Sequence, residues 1–357
     1  MDLKKLNIDE LVPPLTELRS EAEIIYTWQG DIIKPTVSIL CATFNHVNYI
    51  KYAIHSFLMQ ETSFPFEIII NDDASTDGTT EVVEQYASLY PNIIKPILHK
   101  TNQYSRGVRP ISILYPLAKG NYIAVCEGDD LWTSKDKIAQ QYAAMEANKR
   151  ASVCFHSALE FDELLKRSEL ICNYSDITKV IPPETIITNR GGSIPTAALF
   201  YRNQNIKEML QSHSNAPIGD FFIQSYLALS GEAIFLPEPM CVYRRNAKGS
   251  WTSNQQDKTK QSLYYEKMIK AIDNFYGNVQ SFEHSHNLTI PLVFYLKAYL
   301  FQYKKPTSLL RAYYEQVSIL ENFKKYEVTQ LLVKELQSIL LKKTKYILSK
   351  RRDQHEI

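Results

Sequence analysis

Between residues 36 and 126 the chain alternates short apolar runs with helical stretches, and this alternation limits what it can fold into. The runs are TVSILCA (36–42), FEIII (66–70), IIKPILH (93–99) and NYIAVC (121–126). Between the first two, NYIKYAIHSFLMQ (48–60) places Ile50, Ile54, Phe57 and Leu58 on one helical face. Between the second and third, Val82, Val83, Tyr86, Leu89 and Tyr90 form a helical stripe stopped by Pro91. A third helix is predicted near 111–118, ending toward Gly120. Nearly continuous apolar strands separated by amphipathic helices predict an α/β fold with a mostly parallel sheet covered on both faces.

Upstream, residues 1–33 read as a helical extension punctuated by Pro13 and Pro14. Beyond residue 150 the alternation loosens, and ASVCFHSALEF and PTAALFYR read as strands among polar loops. From about residue 256 the chain becomes helical and rich in Lys, Leu and Tyr. The expected organisation is an extension (1–33), an α/β domain (34–255, with halves at 34–136 and 137–255) and a helical region (256–357).

Each of the four runs ends in polar residues: ATFN (42–45), NDDAS (71–75), KTNQYSRG (100–107) and EGDD (127–130). In an open parallel sheet ligands sit outside the carboxyl ends of the strands, so four such endings predict one crevice. A cap or turn accounts for any single ending, and Asp77 or Thr79 is expected to cap its helix. Four together call for a ligand. The second ending also has the spacing of a calcium loop, with Asp73, Ser75, Asp77, Gly78 and Glu84 in register. A calcium hand needs a helix before the loop, and Pro65 followed by Ile68, Ile69 and Ile70 makes a strand instead. The spacing is a coincidence.

Glu127, Asp129 and Asp130 crowd three carboxylates into four positions, which is unfavourable unless something positive binds there. A hard divalent cation, Mn²⁺ or Mg²⁺, completed by a substrate's phosphates meets that need. No GxGxxG follows the first strand and no GxxxxGK[ST] occurs, so neither a dinucleotide fingerprint nor a P-loop explains the crevice. What remains is a nucleotide diphosphate site without a glycine loop.

On VSILCATFN, FEIIINDDASTDGT, KGNYIAVCEGDDLW and IGDFFIQSYLALSGEAIFLPEPMCVYRRNAKGSW, the chain over about 36–252 resembles the family-2 glycosyltransferases. Its flavour is that of bacterial surface-polysaccharide enzymes. The resemblance implies a GT-A fold, with a Rossmann-like, mostly parallel central sheet flanked by helices and a C-terminal helical region. It implies transfer of a sugar from a nucleotide-sugar, expected to be a UDP-sugar, to a saccharide or lipid-linked acceptor. By the same resemblance Ala42, Thr43, Asn45, Asp72, Asp73, Arg109, Glu127 and Asp129 hold the donor, with Asp73 accepting from the uracil N3–H and Asp129 toward the ribose. Asp130 holds the metal, and Asp220 is the general base of a direct, inverting displacement. Two positions depart from the family pattern. Glu127 stands where an aspartate is usual, and Asn246 stands where many relatives have a metal-binding histidine after YRR.

Asp220 also has a plainer explanation, as an acidic residue favoured at a helix N-terminus. Trp132 and Trp251 are sugar platforms or simple packing, and His284 and His286 read as surface residues. A non-catalytic nucleotide-sugar binder would be expected to lose Asp220 or the acidic pair, and a sugar nucleotidyltransferase would need a glycine-rich basic loop after the first strand.

A formal charge of +1 leaves no global field for nucleic acid. Five cysteines without a CxxC pair suit a reducing cytoplasm, with Cys41, Cys126 and Cys154 as small buried hydrophobes. LTIPLVFYLKAYLF (288–301) contains Pro291 and Lys297 and reads as a buried helix, not a membrane span. SILLKKTKYILSKRR (338–352) has six basic residues and no acidic one. It suits either a packed terminal helix or peripheral contact with an anionic inner leaflet.

Overall fold

The computed structural model describes residues 18–203, 216–248, 258–302 and 306–337. The chain forms two compact units, Met1–Gln256 and Asp257–Ile357. Trp251 and the basic stretch 338–352 lie outside the described residues.

In the first unit, helix α1 (Glu21–Tyr26) is opened by a capping box between Ser20 and Glu23. The alternation then runs β1 (Val37–Thr43), α2 (Ile50–Leu58), β2 (Phe66–Asp72), α3 (Thr79–Leu89), β3 (Ile94–Leu98), α4 (Pro110–Leu114) and β4 (Tyr122–Val125). It continues through β5 (Leu131–Trp132), α5 (Lys137–Ala147), β6 (Ala151–His156), β7 (Ala158–Asp162), β8 (Arg167–Ile171) and β9 (Lys179–Ile181). Helix α6 (Pro183–Thr188), β10 (Phe200–Arg202), α7 (Asp220–Ser230), β11 (Glu232–Leu236) and β12 (Cys241–Arg245) complete it.

Among the described residues eight strands form one sheet in the order β3-β2-β1-β4-β10-β6-β11-β9, and β5-β12-β7-β8 form a second. In the large sheet β3, β2, β1, β4, β6 and β11 run one way, while β10 and β9 run against them. This is the mostly parallel sheet of the expected GT-A class. Its central strands are mostly apolar because both faces are covered: Ile39, Leu40, Ile68, Ile70 and Ile123 are all buried.

Three sequence readings need adjustment. ASVCFHSALEF does not make one strand, because it breaks at Ser157 and sends β6 and β7 into different sheets. PTAALFYR begins with a 3₁₀ turn, Thr196–Ala198, before β10. In α3 the buried side is Thr79, Val83 and Tyr86, while Leu89 is exposed.

The second unit contains α8 (Lys258–Val279), α9 (Thr289–Leu300), α10 (Pro306–Ser318) and a helix over 325–337. Met268, Ile272, Phe275, Leu292, Leu296, Val328 and Leu332 form its buried apolar side chains. The most apolar stretch of the sequence is α9, twelve residues long, and among the described residues no helix is long and apolar enough to cross a membrane.

Candidate active site

The parallel register places the carboxyl ends of the first strands side by side, with Thr43 opposite Asp72 and Asp72 opposite Leu98. Backbone bonds extend the alignment past the strand ends. Asp73 donates its N–H to Thr43 O at 3.0 Å, His99 to Asp72 O at 3.0 Å, and Gly128 to Ala42 O at 2.8 Å. All four polar endings therefore meet at one edge of the sheet.

The two aspartates that end β2 do different work, since neighbouring residues on a strand point to opposite faces. Asp72 is fully buried and accepts from the hydroxyls of Ser75 and Thr80. Its carboxylate ties the loop to the start of α3. Asp73 is also buried, and its two oxygens accept the backbone N–H groups of Gln103 at 2.6 Å and Tyr104 at 3.0 Å. It therefore orders the loop after β3. Asn45, left-handed at φ 55°, joins the same fabric by accepting from Thr76 N at 2.9 Å and donating its own N–H to Ser75 Oγ at 2.8 Å.

The acidic loop after β4 lies hard against the end of β1. A Cβ on Gly128 would fall 2.6 Å from Thr43 Oγ1 and 3.1 Å from His46 Nδ1, so only glycine fits between them. Both of those buried atoms lack a hydrogen-bond partner, as does Asp130 Oδ2. His46, which sequence reasoning passed over, places Nε2 3.9 Å from Asp129 Oδ2. A lone histidine just after an apolar strand gave no stronger signal than a turn residue.

Asp130 is almost completely buried, and burial together with Asp129 and Glu127 raises its carboxyl well above the usual range. Glu127 keeps solvent contact, yet the protein walls around it, Asp129 and Asp220 push its carboxyl up to about 8. Asp220, the first residue of α7, is exposed to solvent at the crevice. The surrounding protein raises its carboxyl, while the Arg109 guanidinium opposes that rise. Arg109 lies beside α7, since a Cβ on Gly219 would come 3.4 Å from its Nη1. The structure thus brings Glu127, Asp129, Asp130, Asp220 and Arg109 into one electrostatic neighbourhood.

Among the described residues no three His, Cys, Asp or Glu side chains stand together as ligands for a metal ion. The unpartnered Asp130 Oδ2 and the mutual repulsion of the carboxylates fit a divalent cation that takes most of its oxygens from a ligand. Asn246 is not part of this cluster. It is left-handed at φ 59° and donates from Nδ2 to Asp162 Oδ1 at 3.2 Å. Trp132 is core: fully buried, it donates to Ala197 O at 2.9 Å and meets Phe57 edge to face. His284 and His286 are exposed in the second unit. The cysteines are all free, and Cys41, Cys126, Cys154 and Cys241 are buried.

Residues 38–218, just over half of the chain, match the model of glycosyl transferase family 2. An uncharacterized protein of Mycobacterium tuberculosis is 34% identical over 235 residues, 63% of this chain and 63% of that one. The chain thus spans less than two thirds of the length of such curated relatives. EpsE of Bacillus subtilis, which bears a provisional glycosyltransferase name, is 36% identical over 129 residues, covering 36% of this chain and 45% of EpsE. TuaG of the same organism, provisionally named for teichuronic acid biosynthesis, is 36% identical over 113 residues, 31% of this chain and 42% of TuaG. Among solved structures, S. aureus TarS 1–349 in complex with UDP-GlcNAc aligns with a TM-score of 0.58 at 17% identity, over 80% of this chain and 82% of that one.

Proposed function

The chain belongs to glycosyl transferase family 2, and from that premise we propose that it transfers a sugar from a UDP-sugar to a hydroxyl of a saccharide or lipid-linked acceptor in surface-polysaccharide biosynthesis. The observation that carries the reading is Asp130, buried beside two further carboxylates with one oxygen unpartnered at the carboxyl edge of a parallel sheet. Support for the donor and the pathway comes from relatives: TarS is known with UDP-GlcNAc, and TuaG is named for teichuronic acid.

In this reading the ends of β1 and β2 receive the nucleoside, with Ala42 and Thr43 at the floor and Asp129 toward the ribose. Asp130 would hold a divalent cation, Mn²⁺ or Mg²⁺, which when bound would supply positive charge to the diphosphate. Arg109 adds positive charge on the α7 side. Asp220 takes the proton of the acceptor hydroxyl, a role worth about 10²–10⁴-fold in rate. A single base acting opposite the leaving group makes the displacement direct, with inversion at the anomeric carbon.

The test is to incubate the chain with a panel of UDP-sugars and Mn²⁺ and to measure UDP release, with and without EDTA. Metal-dependent release with one sugar supports the reading. Binding of UDP-sugars without any release on a broad acceptor panel would make it a donor-binding protein instead. The proposal of membrane contact through residues 338–352 is tested separately by co-sedimentation. Binding should require anionic vesicles, weaken with salt and disappear when 338–357 are removed.

A further inference from the structure

Arg244 follows Cys241, Val242 and Tyr243 in β12 and is 4% exposed. A buried guanidinium carries a large desolvation cost unless its charge is balanced. Here Nη1 donates to Asp129 O at 2.8 Å, and Glu163 balances the charge as an ion pair, its Oε1 3.0 Å from Nε but outside hydrogen-bond geometry. The guanidinium also lies over the rings of Tyr49 and Tyr52, with centroid distances of 5.1 and 5.4 Å. At the same residue the backbone N–H donates to Asp130 Oδ1 at 2.8 Å.

These contacts converge on the acidic loop from one side. The backbone bond fixes which oxygen of Asp130 is engaged, leaving Oδ2 unpartnered and turned to other use. The side-chain bond holds the peptide of Asp129, the residue just before it. The far end of the clamp is Glu163, in the turn between β7 and β8, which also pairs with Lys166 at 2.6 Å. Tyr49 and Tyr52 come from the start of α2, just after β1. Arg244 therefore ties three segments distant in sequence to the loop that bears Asp129 and Asp130.

We propose that Arg244, braced by Glu163, is a positioning residue that presents Asp130 Oδ2 to the cation of the donor complex. The inference rests on the donor-site reading above. It extends that reading by assigning to Arg244 and Glu163, which do not touch the donor, control over how tightly the metal–diphosphate is held. A purely structural arginine would affect folding stability alone. A positioning arginine changes the metal requirement.

The experiment uses the full chain and the variants Arg244→Met, Arg244→Lys, Glu163→Gln and the double variant Arg244→Met/Glu163→Gln. Bound Mn²⁺ is measured by electron paramagnetic resonance at fixed UDP. Thermal midpoints are recorded without ligand, and UDP release is titrated with Mn²⁺. Arg244→Met should weaken Mn²⁺ binding about tenfold or more, in line with other residues that orient metal ligands. Its turnover should recover largely at saturating Mn²⁺. Arg244→Lys should rescue part of the affinity, and Glu163→Gln should shift it the same way by less. The double variant should bind no worse than Arg244→Met. Wild-type Mn²⁺ affinity in a folded Arg244→Met or Arg244→Lys protein would overturn the proposal, as would additive losses in the double variant. If Arg244→Met does not fold, Arg244→Lys and Glu163→Gln decide it. Failure of the wild-type chain to bind Mn²⁺ with UDP would instead overturn the donor-site reading, and the clamp with it.

Discussion

Asp73 Oδ1 accepts the backbone N–H of Gln103 at 2.6 Å, while its other oxygen takes that of Tyr104. By resemblance this carboxylate is the acceptor for a uracil N3–H. In the structure it also orders the loop after β3, which leaves its remaining lone pairs for a base.

Asp73→Ala should therefore weaken the ligand-free protein as well as UDP binding. Hydrogen bonds to a charged acceptor contribute about 1.5–3 kcal/mol each, so a loss of about 2–3 kcal/mol is expected from urea unfolding. Proteolysis within the 102–109 loop should speed up in the variant. Unchanged stability combined with lost UDP binding would return Asp73 to a purely ligand-facing role. UDP should still bind better than ADP in the wild type, as read by calorimetry.

Gly128→Ala tests the contact between the acidic loop and β1. The added Cβ would meet Thr43 Oγ1 and Cβ at 2.6 and 2.8 Å, and a side chain at the end of a buried strand has little room to yield. Overpacking of this kind costs about 1–3 kcal/mol. Because the displaced segment carries Asp129 and Asp130, Mn²⁺-dependent UDP release should fall more than stability does. Pairing it with Thr43→Ala, which removes the Oγ1 that the new Cβ meets, should recover part of the lost stability.

The first four strands were legible because β-branched apolar runs specify strands locally, and the polar residues following them mark the ligand edge. Other features depend on pairings that sequence does not display. Nothing in SVCFHSALE marks Ser157 as the point where the chain leaves one sheet for another. Asp72 and Asp73 are chemically identical neighbours, and only the facing of the strand decides that one holds α3 and the other the 103–104 loop. Leu89 was placed on the buried stripe of α3 one position away from Tyr90, and a small error of phase separates the two. Arg244 left a usable signal, since an arginine next to apolar CVY in a strand must find buried acceptors. Glu163 and Asp129 as its partners lie about eighty and over a hundred residues away, beyond the reach of local pattern.

The acidic cluster should make the ligand-free protein less stable as pH rises. Asp130, Glu127 and Asp220 all have carboxyls raised in the folded chain, Glu127 to about 8. Raised carboxyls hold protons in the folded state after the unfolded chain has released them. Their stabilising effect is therefore complete below the unfolded values near 4 and is lost as pH climbs through the folded ones. The thermal midpoint of the ligand-free chain should decline between about pH 5 and 9 through this cluster. Asp130→Asn should flatten the decline, and Mn²⁺ with UDP should oppose it most at the alkaline end. A wild-type and Asp130→Asn pair with parallel pH profiles would show that the cluster is not strained by its own charge.

Asp220 and Arg109 make the sharpest kinetic prediction. Asp220→Asn should still bind UDP but lose about 10²–10⁴-fold in transfer, since only the proton acceptor is removed. In the wild type a base with a raised pKa must deprotonate before it acts, so turnover should increase with pH along an acidic limb above the ordinary aspartate range. Arg109 favours the charged form of Asp220, so taking its charge away must raise that pKa further. Arg109→Gln should thus move the acidic limb of kcat to higher pH, in addition to any weaker binding of the diphosphate. The measurement is the pH profile of UDP release at saturating donor for both proteins. A limb that stays in place in Arg109→Gln would mean that Asp220 is not the group being titrated, and the base would have to be sought among the other carboxylates of the crevice.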